Sequence, residues 1–172
     1  MKRDFRLRPA TPADVSDMRA AEQRAGELFR TVGYDFCADG LNRDHEEHLR
    51  VIAAGVTFVA ETAVGEVAGF AMFEPMDGEV HLLEIDVVPE HQRQGLARRL
   101  IAEGEEWART QGFDAMTLTT YRDVPWNAPF YRKLGFTEFQ PGPDRGGMAE
   151  TIELEAARGF AIRPRVAMRK IL

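Results

Sequence analysis

The sequence predicts a mixed α/β (α+β) domain, with a central sheet of six to seven strands flanked by helices. Short β-rich runs recur along the chain, and stretches of helical periodicity separate them. A strand–loop–helix–strand passage between Val80 and Thr119 also has the form of a crossover between parallel strands. The 172 residues, 44% of them hydrophobic, suffice to bury one core, so a single domain over 1–172 is expected, with its body at 5–140 and a C-terminal helix-strand extension at 141–172.

Phe5 to Arg8 alternates as a strand does. Thr11-Pro12 then opens a helix whose apolar positions Val15, Met18, Ala21, Ala25 and Phe29 return at helical spacing. Asp44 and Glu47 form a capping pair for a second helix, with Leu49, Ile52 and Ala53 on its buried side. The loop between them, Thr31 to Arg43, holds Gly33 and Gly40 and is expected to move. Val56–Glu61 and Val67–Phe73 read as an antiparallel hairpin around Ala63-Val64-Gly65-Glu66, and the Asp77-Gly78 turn leads into a third strand, Val80 to Val88.

Pro89 ends that strand because it lacks the N–H that a ladder needs. Leu96, Ala97, Leu100, Ile101, Gly104, Trp107 and Ala108 form a broad helical stripe suited to lie on a sheet, and Gly112 closes the helix. A strand from Ala115 to Thr119 follows. Asn127 then caps a short helix with Pro129 in its first turn, and Gly135 stops it before a strand from Phe136 to Phe139. In the tail, Pro141-Gly142-Pro143 and Gly146-Gly147 read as a hinge, Ala149 to Arg158 as a helix ended by Gly159, and Arg165 to Ile171 as the last strand.

Composition narrows the function classes. A net charge of -6 argues against nucleic acid as the main partner, since phosphate contacts need a basic face. The single cysteine, Cys37, excludes an internal disulfide and suits a reducing compartment. The start, MKRDFRLRPA, has no apolar signal region, and no run of apolar residues is long enough to span a bilayer. A cytoplasmic protein without a membrane partner is the expectation. His45 and His48 lie three apart, which is not the H-E-x-x-H spacing of a zinc helix, and no metal is called for.

The stretch EIDVVPEHQRQGLARRL, Glu84 to Leu100, carries the clearest chemical signal. A strand that feeds directly into a helix leaves backbone N–H groups without intrahelical partners beside the positive end of the helix dipole. Such a corner suits a pyrophosphate. Gly95 permits close approach, the small Ala97 leaves the amides open, and Arg93, Arg98 or Arg99 can add a charged contact. A P-loop is excluded by the absence of Gly-Lys-Ser/Thr, and a dinucleotide-binding loop by the presence of Gly95 alone where three glycines are needed.

The pattern Q-x-x-G-x-A, formed by Gln92, Gly95 and Ala97 after a strand and Pro89, resembles the acyl-CoA loop of the GNAT superfamily of N-acetyltransferases. WNAPFYRKLGF, Trp126 to Phe136, resembles that superfamily's second block, in which an Asn is followed four residues later by a Tyr and then by Leu-Gly-Phe. Both blocks fall where the order of elements requires them, over roughly residues 5–140. The helix before the last strand departs from the simplest form of the fold.

The resemblance implies a mostly antiparallel mixed sheet, splayed at the acyl-CoA site, and acetyl-CoA as co-substrate. It puts Val87 and Val88 beside the cofactor through their amides, and Gln92, Arg93, Gln94, Gly95, Leu96 and Ala97, with Arg98 nearby, around the pyrophosphate. It gives Asn127 a contact to the pantetheine arm, and Tyr131 the position of a general acid on the departing sulfur.

A lysine-like amine costs about 4.6 kcal/mol to present in neutral form at pH 7, against about 2 kcal/mol to protonate a thiolate, so the base is the larger need. His81, Glu84 and Asp86 on the motif strand are candidates, with Glu84 preferred; Glu22 on the first helix is another, and water is a further one. The expected activity is acetyl transfer to a primary amine of a small molecule. A protein N-terminus or lysine as acceptor, a non-catalytic acyl-CoA sensor or partner protein, and a nucleotide-binding module stay open. So does a homodimer through the last strand.

Overall fold

The computed structural model describes residues 4–39 and 42–172; Gly40, one of the two loop glycines noted above, lies outside them. In chain order the regular elements are β1 (Arg6–Pro9), α1 (Val15–Gly26), α2 (Asp35–Ala38), α3 (His45–Ala54), β2 (Val56–Glu61), β3 (Val67–Met76), β4 (Glu79–Val87), α4 (Leu96–Thr110), β5 (Ala115–Tyr121), α5 (Ala128–Arg132), β6 (Thr137–Phe139), α6 (Gly146–Ala157) and β7 (Arg165–Ile171). The strands follow one another in the sheet as β1-β2-β3-β4-β5-β7-β6. The β4–β5 pairing is parallel, whereas β1–β2, β2–β3, β5–β7 and β6–β7 are antiparallel. Among the described residues, no helix is long and apolar enough to cross a membrane.

Two compact units divide the chain, one running to Glu74 together with Leu83–Glu106, the other comprising Pro75–Leu82 and Trp107–Leu172. In the first, Met18 and Ala21 of α1, Val51 of α3, Val59, Phe70 and Met72 of the strands and Val88 make a closed apolar cluster. Arg8 grips Asp14 with two hydrogen bonds of 2.9 and 2.8 Å, which ties β1 to the start of α1 and holds the Asp14 carboxyl down at about 2.

Val15, Met18, Ala21 and Ala25 are buried as their spacing requires, but α1 stops at Gly26 and Phe29 falls in a tighter 3₁₀ turn, Glu27–Val32. The backbone of α2 lies close there, since a Cβ on Gly26 would stand 3.2 Å from the Cys37 carbonyl oxygen. At α3 the capping box forms as expected: Glu47 N–H donates to Asp44 Oδ1 and Asp44 N–H to Glu47 Oε2, both at 2.9 Å. Its buried face differs from the expected one. His48 and Val51 are inside, Leu49 and Ile52 are half-buried and Ala53 is exposed, because His48 meets a buried carboxylate of α1.

In the second unit β7 lies between β5 and β6, in register from Ala115↔Ile171 to Tyr121↔Arg165 and from Thr137↔Arg169 to Phe139↔Ala167. The parallel ladder from β4 to β5 covers only Val80↔Met116 and His81↔Thr117. Asp77 and Gly78 both have positive φ, 51° and 78°, which suits a two-residue hairpin turn. Asp77 does more than turn the chain. Its carboxylate accepts the N–H groups of Gly147 and Met148 at 2.9 and 2.8 Å, so Gly146 and Gly147 form the first turn of α6 rather than the expected hinge.

Ion pairs fasten the rest of this extension. Arg145 and Arg169 both hold Glu79; burial alone would push its carboxyl up, but the two guanidiniums win and bring it to about 2. Arg165 grips Glu155 through two bonds of 3.1 and 2.9 Å and stacks over the Tyr121 ring at 4.6 Å.

Candidate active site

The loop after β4 is shaped by its own side chains. After a 3₁₀ turn at Pro89–His91, Gln92 is extended, whereas Arg93 and Gly95 have φ of 57° and 78°. A left-handed arginine costs roughly 1 kcal/mol or more, so the surroundings must hold it. The two glutamines brace the loop: Gln92 Nε2 donates to the Val87 carbonyl at 3.0 Å, and Gln94 Nε2 to the Glu90 carbonyl at 3.1 Å. Their side chains thus fix the shape of the anion loop instead of reaching for an anion.

Val88 departs from its expected part, because its N–H donates to the Ala68 carbonyl at 3.0 Å and its own carbonyl accepts from His91 N–H at 2.9 Å. With both backbone groups engaged, it has no amide to offer a ligand. The first bond of α4 runs from Arg99 N–H to the Gly95 carbonyl at 3.2 Å, which leaves the amides of Leu96, Ala97 and Arg98 without a carbonyl inside the helix. The space at their mouth is open, since a Cβ on Gly95 would meet nothing within 4 Å. Arg93 and Arg98 are exposed beside it, while Arg99 is tethered to the Phe5 carbonyl at 2.9 Å. Three aligned amides, an open approach and two exposed cations fit a diphosphate.

The carboxylates of β4 have unequal surroundings. Glu84 Oε2 stands 3.5 Å from Arg43 Nε, so this carboxylate already has a cation. Asp86 Oδ2 is buried and has no hydrogen-bond partner among the described residues. Burial, then the charges of Glu84 and Glu22, push the Asp86 carboxyl well above the usual carboxylate range, and Arg43 opposes them only in part. Backbone packing sets the place of Asp86: a Cβ on Gly69 of β3 would stand 2.5 Å from the Asp86 carbonyl oxygen, so only glycine admits this approach.

Glu22 is itself buried; its Oε1 accepts Arg43 N–H at 3.0 Å and its Oε2 meets His48 Nε2 at 3.2 Å. His81, the remaining base candidate on the strand, is buried with Nδ1 at 3.0 Å from Thr117 Oγ1. Two partners of these carboxylates, Arg43 and His48, escape a reading by motif. The only local signal is their position on either side of the Asp44 cap of α3.

In the second unit, Asn127 does not cap α5 with its side chain, contrary to one of its expected roles. Its Nδ2 donates to Thr120 Oγ1 at 2.7 Å, and its Oδ1 is buried without a partner among the described residues. An orphan acceptor of this kind calls for an N–H donor, which the amides of a pantetheine arm possess. Tyr131 is buried one helical turn on, edge-to-face with Phe130 at 5.3 Å and Phe136 at 5.8 Å between ring centres.

Comparison with known proteins places the chain in a family. The model of the acetyltransferase (GNAT) family matches residues 18–136. An uncharacterized N-acetyltransferase of Bacillus subtilis (strain 168), YuaI, is 39% identical over 131 residues, which cover 69% of this chain and 73% of that protein.

Among solved structures, the PaiA N-acetyltransferase of Thermoplasma acidophilum, in complex with coenzyme A, superposes with a TM-score of 0.72 at 15% identity over 98% of this chain and 99% of its own. The ribosomal-protein-S18-alanine N-acetyltransferase of Escherichia coli does so with a TM-score of 0.69 at 19% identity over 98% and 94%. At such identities these two likenesses speak to the fold, which is the mixed seven-stranded sheet flanked by helices described above. On the family match and the Bacillus relative together, this chain belongs to the acetyltransferase (GNAT) family, enzymes that use acetyl-CoA as co-substrate.

Proposed function

We propose that the chain acts as a single N-acetyltransferase domain, in the cytoplasm, on the primary amine of a small molecule. Acetyl-CoA supplies the acetyl thioester when bound. The amides of Leu96, Ala97 and Arg98 take the diphosphate, assisted by Arg93 and Arg98, and Asn127 Oδ1 accepts a hydrogen bond from the pantetheine arm.

The observation that carries the assignment of the base is the partnerless, buried Oδ2 of Asp86. Its raised proton affinity brings it nearer to neutral pH, where a general base works best. Asp86 therefore receives the proton of the attacking amine, and the negative charge it shares with Glu84 and Glu22 attracts an ammonium to the site. Glu84, the first choice from sequence, is engaged with Arg43 and serves as a charge partner of Asp86. Tyr131 gives its hydroxyl proton to the sulfur as it departs. An acidic chain, with net charge -6, favours cationic acceptors over neutral ones.

Release of free thiol from acetyl-CoA over a panel of small primary amines and N-terminal peptides tests this reading. A small amine is expected to accelerate release, and Tyr131→Phe is expected to slow it roughly a hundredfold while acetyl-CoA affinity stays the same. Acceleration by peptides alone would contradict the small-molecule acceptor. An unchanged rate in Tyr131→Phe would remove Tyr131 as the acid.

A further inference from the structure

Among the described residues, Arg43 touches both carboxylates that act on the proposed base, Glu22 and Glu84. Its backbone N–H donates to Glu22 Oε1 at 3.0 Å, its Nη2 donates to the Leu83 carbonyl at 3.3 Å, and its Nε stands 3.5 Å from Glu84 Oε2. Its Nη1 lies 3.6 Å from Glu47 Oε1, and its carbonyl accepts Arg19 Nε at 3.3 Å. The far oxygen of Glu22 is held in turn by His48, which has no exposed surface. Arg43 is thus held at its backbone from α1, while its guanidinium lies between Glu47 of α3 and the Leu83 carbonyl of β4. Its side chain is only 16% exposed, so its charge is poorly screened by water.

We propose that Arg43 is a positioning residue for the acetyl transfer: braced by Glu22 and His48, it presents its guanidinium to β4 and governs the charge of the Glu84–Asp86 pair. The reasoning is electrostatic. Among the described residues, the groups that act on Asp86 are Glu84 and Glu22, which favour its protonated form, and Arg43, which favours its ionised form. Arg43 is the one cation of the three, so it is the group that draws Asp86 toward its ionised form against burial and the two carboxylates. Glu22 has two opposed effects: its charge favours protonation of Asp86 directly, and its hydrogen bond holds in place the cation that counters this. An amine arriving as an ammonium then meets a carboxylate pair whose repulsion Arg43 has already reduced.

The inference rests on Asp86 being the base, and the pH dependence of kcat/KM for acetyl transfer separates the two claims. Replacing Arg43 by Gln is expected to move the acidic limb upward by about one pH unit or more, and Arg43→Lys, which keeps the charge, to restore most of the shift. Glu22→Gln keeps an oxygen for Arg43 N–H but removes a negative charge, so its limb is expected to move downward. Two substitutions in one brace therefore shift the profile in opposite directions, whereas simple loss of folding would lower the rate in both without moving either limb. An unmoved limb in Arg43→Gln, or shifts of the same sign in both variants, would overturn the positioning role. If Asp86→Asn keeps the parent's limb, the base assignment itself fails, and the inference with it.

Discussion

Asp86→Asn is expected to lower kcat/KM roughly a hundredfold to ten-thousandfold, with acetyl-CoA binding unchanged and the acidic limb of the pH profile abolished. Asparagine has the same shape and fills the same place on β4, so the loss isolates the proton-accepting oxygen. The variant should also be at least as stable as the parent at neutral pH. The sign follows from linkage: the Asp86 carboxyl has a higher proton affinity folded than unfolded, so the folded parent binds the extra proton. Its stability therefore falls as pH rises from the ordinary carboxylate range through the raised folded value. Asparagine carries no such loss, and its advantage in Tm should grow over that interval. Lost activity with unimpaired stability is what a functional carboxylate held at a cost to the fold produces. Activity within about threefold of the parent would mean that another group, or water, takes the proton.

Gly104→Val is expected to lower stability by roughly 3 kcal/mol, and hence Tm by about 6–12 °C for a domain of this size. Glycine in mid-helix is ordinarily a poor choice, about 1 kcal/mol worse than alanine. Here the Phe73 ring occupies the space: a Cβ on Gly104 would stand 2.2 Å from Cζ, 2.3 Å from Cε1 and 2.7 Å from Cε2. That ring has no exposed surface and is edge-to-face with Phe58, so it cannot turn aside freely. Helix α4 thereby lies on β3 closely enough for Leu96, Leu100 and Ile101 to be buried. Shrinking the partner should relieve the clash, so Gly104→Val combined with Phe73→Leu should recover about half of the loss. Thermal unfolding followed by circular dichroism measures both, and an undiminished Tm in Gly104→Val would show that the ring yields.

The sequence made most of this framework legible wherever one local rule decided the outcome. The Asp44–Glu47 capping box, the Asp77-Gly78 turn, the Gly112 stop and the β7 span all appear where turn chemistry or periodicity placed them. The failures came where a distant partner set the result. Helix α1 ends at Gly26 because α2 approaches it, and α2 is too short, at four residues, to leave a periodic signal. Helix α3 buries His48 because Glu22 is waiting for it, a pairing across 26 positions that hydropathy cannot register. Gly146-Gly147 looked like a hinge because a helix start normally carries its own cap, and here the cap comes from Asp77.

At the candidate site, the residue types stand in the sequence, whereas the surroundings of each do not. Glu84 and Asp86 alternate along one strand and look alike in sequence. Only their surroundings distinguish them: Glu84 stands 3.5 Å from Arg43 Nε, and Asp86 Oδ2 is buried without a hydrogen-bond partner among the described residues. The glutamines of the loop likewise suggested an anion, whereas their side chains brace the backbone through the Val87 and Glu90 carbonyls.

A nitrogen-15 NMR titration with coenzyme A addresses the anion loop itself. The amide signals of Leu96, Ala97 and Arg98 should shift strongly downfield as the ligand binds, while that of Val88, already bonded to Ala68, moves little. Saturable binding that leaves those three amides unperturbed would contradict the placement of the diphosphate at the start of α4.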